Sequence, residues 1–287
     1  MTLVTTSLTT TTMREAFLHA TADAIDTDDR TVLVLADISA GADPVPDLAR
    51  RRPGRVVNVG IREQLMIGVA GGLALTGLRP VVHSYAPFLV ERPYESLKLD
   101  LGHQDVGAVL VSIGASYDQP GIGRTHEAPE DVAVVDTLPG WTVHVPGHPD
   151  EADRLVREAI AGDGPVYVRL SSEVNAAPHH GTGLQTVREG SPDDVVVAVG
   201  PTLDRVLAAA RFRDATVLYT STVRPFDAAG LRAVVGEVPT VTMVEPYLEG
   251  TSARVLDEAL SDRPHRLVMI GYPREESHRY GDHELPL

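Results

Sequence analysis

Residues 58–68 read NVGIREQLMIG. An apolar run of strand length, RVVNVG (55–60), stops at a glycine, and a helical pattern, REQLMIGVAGGLALTG (62–77), begins almost at once and closes on Gly77. A strand running straight into a helix is the joint of a parallel βαβ unit. The joint recurs in both directions. TVLVLAD (31–37) precedes it as a strand. RPVVHSYA (79–86), GAVLVSIG (107–114), WTVHVPG (141–147) and PVYVRLS (165–171) follow as strands. Between them lie helical patterns at 87–102, 129–140 and 149–164, the second with proline in its first turn. This alternation implies an α/β fold whose parallel sheet is covered by helices on both faces.

Residues 175–194 are rich in turn formers and lack periodicity, which marks a linker. The alternation then resumes as VVVAVG (195–200), TLDRVLAAARF (202–212), TVLYTS (216–221), DAAGLRAVVG (227–236), TVTMVE (240–245), GTSARVLDEALSD (250–262) and RLVMIG (266–271). The expected organisation is a flexible, threonine-rich segment over 1–12, a first domain over 13–174, a linker over 175–194 and a smaller α/β domain over 195–287.

The chain has 287 residues and a formal net charge of −15, which argues against nucleic acid or an anionic membrane as the main partner. With no cysteine, disulfides, thiolate metal sites and cysteine nucleophiles are excluded. The start, MTLVTTSLTTTTM, has no basic region followed by an apolar core, and no apolar stretch approaches the ~20 residues of a membrane span. The expectation is a cytoplasmic soluble protein.

Several stretches carry one resemblance in order and spacing: VLADISAG, VNVGIREQLMIGVAGGLALTGLRPVVHSYAPFLVERPYESLKLDLGHQ, GRTHEAPEDVAVV, LPGWTVHVPGHPDEA, GPVYVRLS and VRPFD. Over roughly residues 13–287 the chain resembles the C-terminal half of transketolase, a pyrimidine-binding domain followed by the transketolase C-terminal domain. It is most similar to the small subunit of split-gene, two-subunit transketolases.

The resemblance implies thiamine diphosphate, with its pyrimidine end bound here. Glu63 would contact N1′ of the aminopyrimidine and tune the ring so that its exocyclic nitrogen takes the thiazolium C2 proton. The alternative for Glu63 is a first-turn carboxylate that only stabilises the helix dipole. Phe88 would stack on the pyrimidine face, worth about 1 kcal/mol beyond area burial. Tyr85 and Tyr94 are expected to line the same pocket. Asp37 matches an aspartate near the thiazolium and the subunit contact, with a simple strand-end cap as the equal alternative. His126 matches the histidine that faces the substrate hydroxyls. Glu91 stands where relatives often carry an aromatic residue or arginine.

Three departures bear on the substrate. Ile122 replaces an aspartate of the sugar-phosphate enzymes, Gly114 a histidine, and Ser172 the arginine that grips phosphate. Arg124 is the candidate for an anion contact from another direction. The departures imply a modified acceptor preference: a less phosphorylated or a biosynthetic substrate, a non-standard acceptor of specialised metabolism. GDGP (162–165) looks like a metal-pyrophosphate motif, but its place before a strand makes it an ordinary turn. No metal site is expected in this chain. Mg²⁺ and the pyrophosphate would be held by an N-terminal transketolase subunit on a second polypeptide, in an α2β2 assembly. The small residues of GGLALTG are read as allowing close helix packing across that contact. The resemblance thus implies ketol transfer from a ketose to an aldehyde acceptor, with sugars or sugar phosphates as substrates. Two alternatives stay open: the β subunit of a 2-oxo acid dehydrogenase, and a non-catalytic scaffold or regulatory partner that keeps the fold.

Overall fold

The computed structural model describes residues 11–276, 278, 280 and 281. The expectations for residues 1–10 and for the end of the tail (282–287) lie outside the described residues. The chain opens with α1 (Met13–Thr27), β1 (Thr31–Leu35), α2 (Val45–Arg51), β2 (Val56–Asn58), α3 (Glu63–Leu75) and β3 (Arg79–Tyr85). An irregular helical run follows, with wide turns at Pro87–Glu91 and Leu97–His103 on either side of α4 (Tyr94–Ser96). Next come β4 (Val109–Ile113), α5 (Asp131–Val135), β5 (Thr142–His144), α6 (Pro149–Ala161) and β6 (Val166–Arg169). The remainder is β7 (Gln185–Arg188), β8 (Asp194–Val199), α7 (Leu203–Ala209), β9 (Thr216–Thr220), β10 (Thr222–Arg224), α8 (Ala228–Val234), β11 (Thr240–Leu248), α9 (Ala253–Ala259) and β12 (Arg266–Tyr272).

The first sheet has the order β10-β5-β6-β4-β3-β1-β2 and is parallel except for β10. Strand alternation sorts its side chains. Leu33, Leu35, Val81, Val109, Val111, Val166 and Val168 pack against α1, α2 and α6. Val32, Val34, Val82, Leu110, Val143 and Tyr167 face the other way, onto α3, the 87–103 run and α5. Both faces are therefore covered, as the apolar strands require. α1 is set by a reciprocal cap: the Thr12 hydroxyl accepts from the Glu15 N–H at 3.2 Å, and the Glu15 carboxylate takes the Thr12 N–H at 2.7 Å.

The second sheet has the order β12-β11-β8-β9-β7. Two features depart from the expected boundaries. The stretch 175–194 contains β7, an antiparallel edge strand of the second sheet, so it is not wholly linker. Its half-exposed QTVR sequence has too few apolar residues to read as a strand. β10, from the VRPFD region, leaves the second sheet's segment and pairs with β5 in the first sheet. The two sheets are thus stitched together by the chain itself. Among the described residues no helix is long and apolar enough to cross a membrane.

Candidate active site

All strands of the first sheet except β10 point their carboxyl ends to one side, and Glu63, Tyr85, Phe88 and His126 lie at or after those ends. Gly60 follows β2 in a left-handed conformation (φ +71°) with open space beside it, and this turn delivers the start of α3. The Asn58 amide oxygen accepts the Asp37 N–H at 2.9 Å and the Gly60 N–H at 3.0 Å, tying the loops after β1 and β2 together. Glu63 is 3% exposed at the first residue of α3. Asp37 sits exposed at the end of β1 in a left-handed conformation.

Tyr85 ends β3, and Phe88 lies in the wide turn after it. His126 comes from the loop after β4. The three rings form one cluster: Tyr85–Phe88 centroids are 6.1 Å apart, Tyr85–His126 5.0 Å and Phe88–His126 4.9 Å, all edge to face. Gly114 makes this possible. It is left-handed (φ +70°), and a side-chain carbon there would run into the Tyr85 ring and the His126 carbonyl. The expected substitution of histidine by glycine is therefore matched by Tyr85 filling the space.

Thr125 Oγ1 lies 3.1 Å from the Ile122 carbonyl and 2.9 Å from His126 Nδ1, a contact that orients the ring. Burial, and then the charge of Arg92, hold His126 below its ordinary pKa. A neutral imidazole offers one N–H donor and one lone-pair acceptor.

Arg92 is a site residue that the sequence reading missed. Its Nη1 donates to Glu63 Oε1 at 2.6 Å, and its guanidinium lies 4.2 Å from the Phe88 ring centre. It occupies the wall expected of Glu91, one residue later. The i, i+4 spacing from Phe88 was the available signal. Glu91 itself is solvent-exposed.

Tyr94 is not brought to the cluster. Six residues on from Phe88 it lies on another face of the helical run, and its hydroxyl meets Thr137 Oγ1 at 2.7 Å. Arg124 does not present a free cation either: its guanidinium is paired in fork fashion with Glu130 at 2.9 and 3.0 Å. The small residues of α3 also depart from expectation in part. Gly71 packs on the Asp100 backbone within the chain, whereas Gly72 is exposed. Asp163 in the GDGP turn pairs with Arg30 at 3.1 Å.

A cleft of about 840 Å³ runs from Tyr85 and Gly114 past Asp118, Ser171 and Ser172 to Arg14 and His19 on α1. Ser172 is exposed there, its N–H donated to Asp118 Oδ2 at 2.8 Å, and burial lifts the Asp118 carboxyl to about 6. Arg14 is the second residue that the sequence did not reveal. Its Nε and Nη2 donate to Ser39 Oγ at 3.2 and 2.8 Å. His83 Nδ1 faces the Val111 carbonyl at 2.8 Å and must donate, so Nε2 accepts the Ser39 hydroxyl hydrogen, also at 2.8 Å. This relay holds Arg14 at the cleft, and among the described residues no carboxylate is paired with it.

The relay needs a neutral His83, which is fully buried and pushed down to about 4, chiefly by that burial. The unfolded chain therefore binds one more proton than the folded chain between about pH 6.5 and 4. The stability contribution is complete above pH 6.5 and is lost as pH falls through 4. We expect this residue to cost on the order of 2–3 kcal/mol across that window. Urea titrations at pH 7 and 4.5 on the wild type and His83→Asn check it. The acid-side loss is expected to be smaller in the variant.

With this geometry in hand, comparison with known proteins gives the family. Residues 9–175 match the family described as "Transketolase, pyrimidine binding domain". The "Uncharacterized 33.6 kDa protein in fasciation locus" of Rhodococcoides fascians is 54% identical over 95% of this chain and 89% of its own length. A "6-deoxy-6-sulfo-D-fructose transketolase subunit" of a Clostridium species is 30% identical over 87% of this chain and 81% of its own length. Among solved structures, "Split gene transketolase, inactive beta4 tetramer" superposes with a TM-score of 0.75 and 26% identity, covering 91% of this chain and 89% of that one. The chain belongs to the transketolase family, as a C-terminal subunit of the split-gene kind.

Proposed function

We propose that this chain is the small subunit of a two-chain, thiamine-diphosphate-dependent transketolase that moves a two-carbon ketol unit from a ketose to an aldehyde acceptor. One observation carries the reading: a buried carboxylate, Glu63, stands at the carboxyl end of the parallel sheet within one side chain's reach of the Phe88–Tyr85–His126 cluster. The residues fit the pyrimidine end of the coenzyme. Phe88 offers a ring face and Glu63 an acceptor for a protonated ring nitrogen. Bound, thiamine diphosphate supplies a nucleophilic thiazolium carbon and a basic nitrogen beside it.

The chain's own residues supply the rest. Glu63 shares a proton with the pyrimidine ring. His126 offers its imidazole as a hydrogen-bond partner to a sugar hydroxyl. Arg14, held by Ser39, is the cation available to an acidic end of a substrate lying in the cleft. It takes over the anion contact expected of Arg124.

In this reading the pyrophosphate and Mg²⁺ fall to a second polypeptide, which the likeness to subunits of two-chain transketolases supports. The exposed apolar side chains of Leu65 (47% exposed) and Leu75 (59%) on α3, with Ile61 (72%) before it, support such a contact. The test is co-expression with a second chain carrying a Gly-Asp-Gly…Asn motif, followed by assay with free and phosphorylated aldoses and with 2-oxo acids. Ketol transfer that needs both chains supports the reading. Sugar turnover by the lone chain, or turnover of 2-oxo acids alone, overturns it.

A further inference from the structure

The Arg92 guanidinium is flat and cationic, and it carries N–H donors along its edge. It lies on the Phe88 ring with Cζ 4.2 Å from the centroid, and Nη1 donates to Glu63 Oε1 at 2.6 Å. A protonated aminopyrimidine is also flat, cationic and edged with N–H donors. Both need the same ring face and the same carboxylate.

Resting on the coenzyme reading above, we propose that Arg92 is a built-in competitor for the pyrimidine end: in the free chain its guanidinium fills the place between Phe88 and Glu63, and coenzyme enters as Arg92 swings out. Burial says which group moves. The Glu63 side chain is 4% exposed and fixed at the start of α3, whereas the Arg92 side chain is 42% exposed. Its backbone stays put, since the Arg92 N–H bonds the Pro87 carbonyl at 2.9 Å and its own carbonyl accepts from Gln64 Nε2 at 3.3 Å. Only the side chain rotates. The arrangement also answers a physical need. A carboxylate this deeply buried is costly without a partner, and Arg92 compensates its charge until the coenzyme ring does so. The cation–π contact and the charge-assisted hydrogen bond that hold Arg92 must both be given up on binding.

The test uses the full-length chain with thiamine as probe, since thiamine carries the ring end without the pyrophosphate. Binding is measured by calorimetry or ligand-observed NMR on the wild type, Arg92→Ala, Arg92→Gln and Arg92→Ala/Glu63→Gln. Losing one charge-assisted hydrogen bond as competitor corresponds to about a tenfold or greater fall in Kd for both single variants. The gain should vanish when Glu63→Gln is added. Arg92→Gln keeps the outcome readable if the alanine variant folds poorly. Wild-type binding as tight as that of the Arg92 variants overturns the proposal, as does a failure of every variant to bind. Uptake of thiamine diphosphate by the two-chain complex judges the coenzyme reading separately. If the complex takes up coenzyme while the Arg92 variants show no gain, the competitor role alone is wrong; if the complex takes up none, the coenzyme reading itself fails.

Discussion

Replacing Glu63 by alanine is expected to lower ketol transfer by the reconstituted two-chain enzyme by about 10²–10⁴-fold in kcat, the range in which positioned proton donors and acceptors act. The fold should survive. Glu63 sits in the first turn of α3, and among the described residues its one side-chain partner is Arg92, whose guanidinium already reaches solvent and can relax into it. Thermal stability therefore separates the two roles open to Glu63. A first-turn carboxylate serving the helix dipole would shift stability by about 0.3–1 kcal/mol and leave turnover unchanged. A coenzyme-tuning carboxylate would do the reverse. Glu63→Gln sharpens the test, because the amide keeps the shape and an acceptor oxygen but cannot share a proton. Full activity in either variant removes Glu63 from the chemistry and leaves the helix-dipole role.

What could be read in advance, and what could not, divides along the range of the interactions. Glu63, Phe88 and His126 each follow a strand end in a stretch with its own local pattern, and the structure gathers Phe88 and His126 into one ring cluster with Glu63 linked through Arg92. The parallel sheet and its two helical layers were legible for the same reason. Arg92 was hidden by attention to its neighbour Glu91, and a wide helical turn decides which of the two faces Phe88. Arg14 was invisible because its role depends on Ser39 and, through Ser39, on His83 and Val111, which no periodicity connects to α1. Arg124 looked like a free cation until the fold set Glu130 against it. Tyr94 failed for a geometric reason: six residues on from Phe88 it falls on another face of the helical run, where its hydroxyl meets Thr137. β7 and β10 are short edge strands that pair antiparallel with distant partners, and such pairing leaves almost no local trace.

Asp131→Ala is expected to destabilise the chain by about 3–5 kcal/mol, the loss that follows when one member of a buried ion pair is removed. Asp131 and Arg169 are both essentially without solvent contact. Arg169 Nε donates to the two Asp131 oxygens at 3.0 and 2.8 Å, and the Tyr167 hydroxyl donates to Oδ2 at 2.7 Å. Arg169 Nη2 reaches Ser116 Oγ at 2.5 Å, and the Ser116 hydroxyl donates to the Pro246 carbonyl on β11. With Asp131 gone, the guanidinium remains buried without its counter-charge, and the Tyr167 hydroxyl keeps only Ser112 Oγ at 2.8 Å. The consequence extends past stability, because Ser116 and Asp131 lie on either side of the loop that carries His126. That loop is also joined to β11 by the Leu248 N–H on the Pro129 carbonyl at 2.8 Å. Loosening the network should therefore displace His126, lowering kcat/KM of the complex even at temperatures where the variant is folded. Urea unfolding of Asp131→Ala, Arg169→Met and the pair Asp131→Leu/Arg169→Met measures the coupling. The double variant should recover much of the lost stability, since two apolar groups leave no orphaned charge. Recovery of activity is not expected with it, because the anchor to Ser116 is still missing. A double variant with wild-type kcat/KM would show that the buried pair serves the fold alone and that His126 is positioned by its contacts with Tyr85, Phe88 and Thr125.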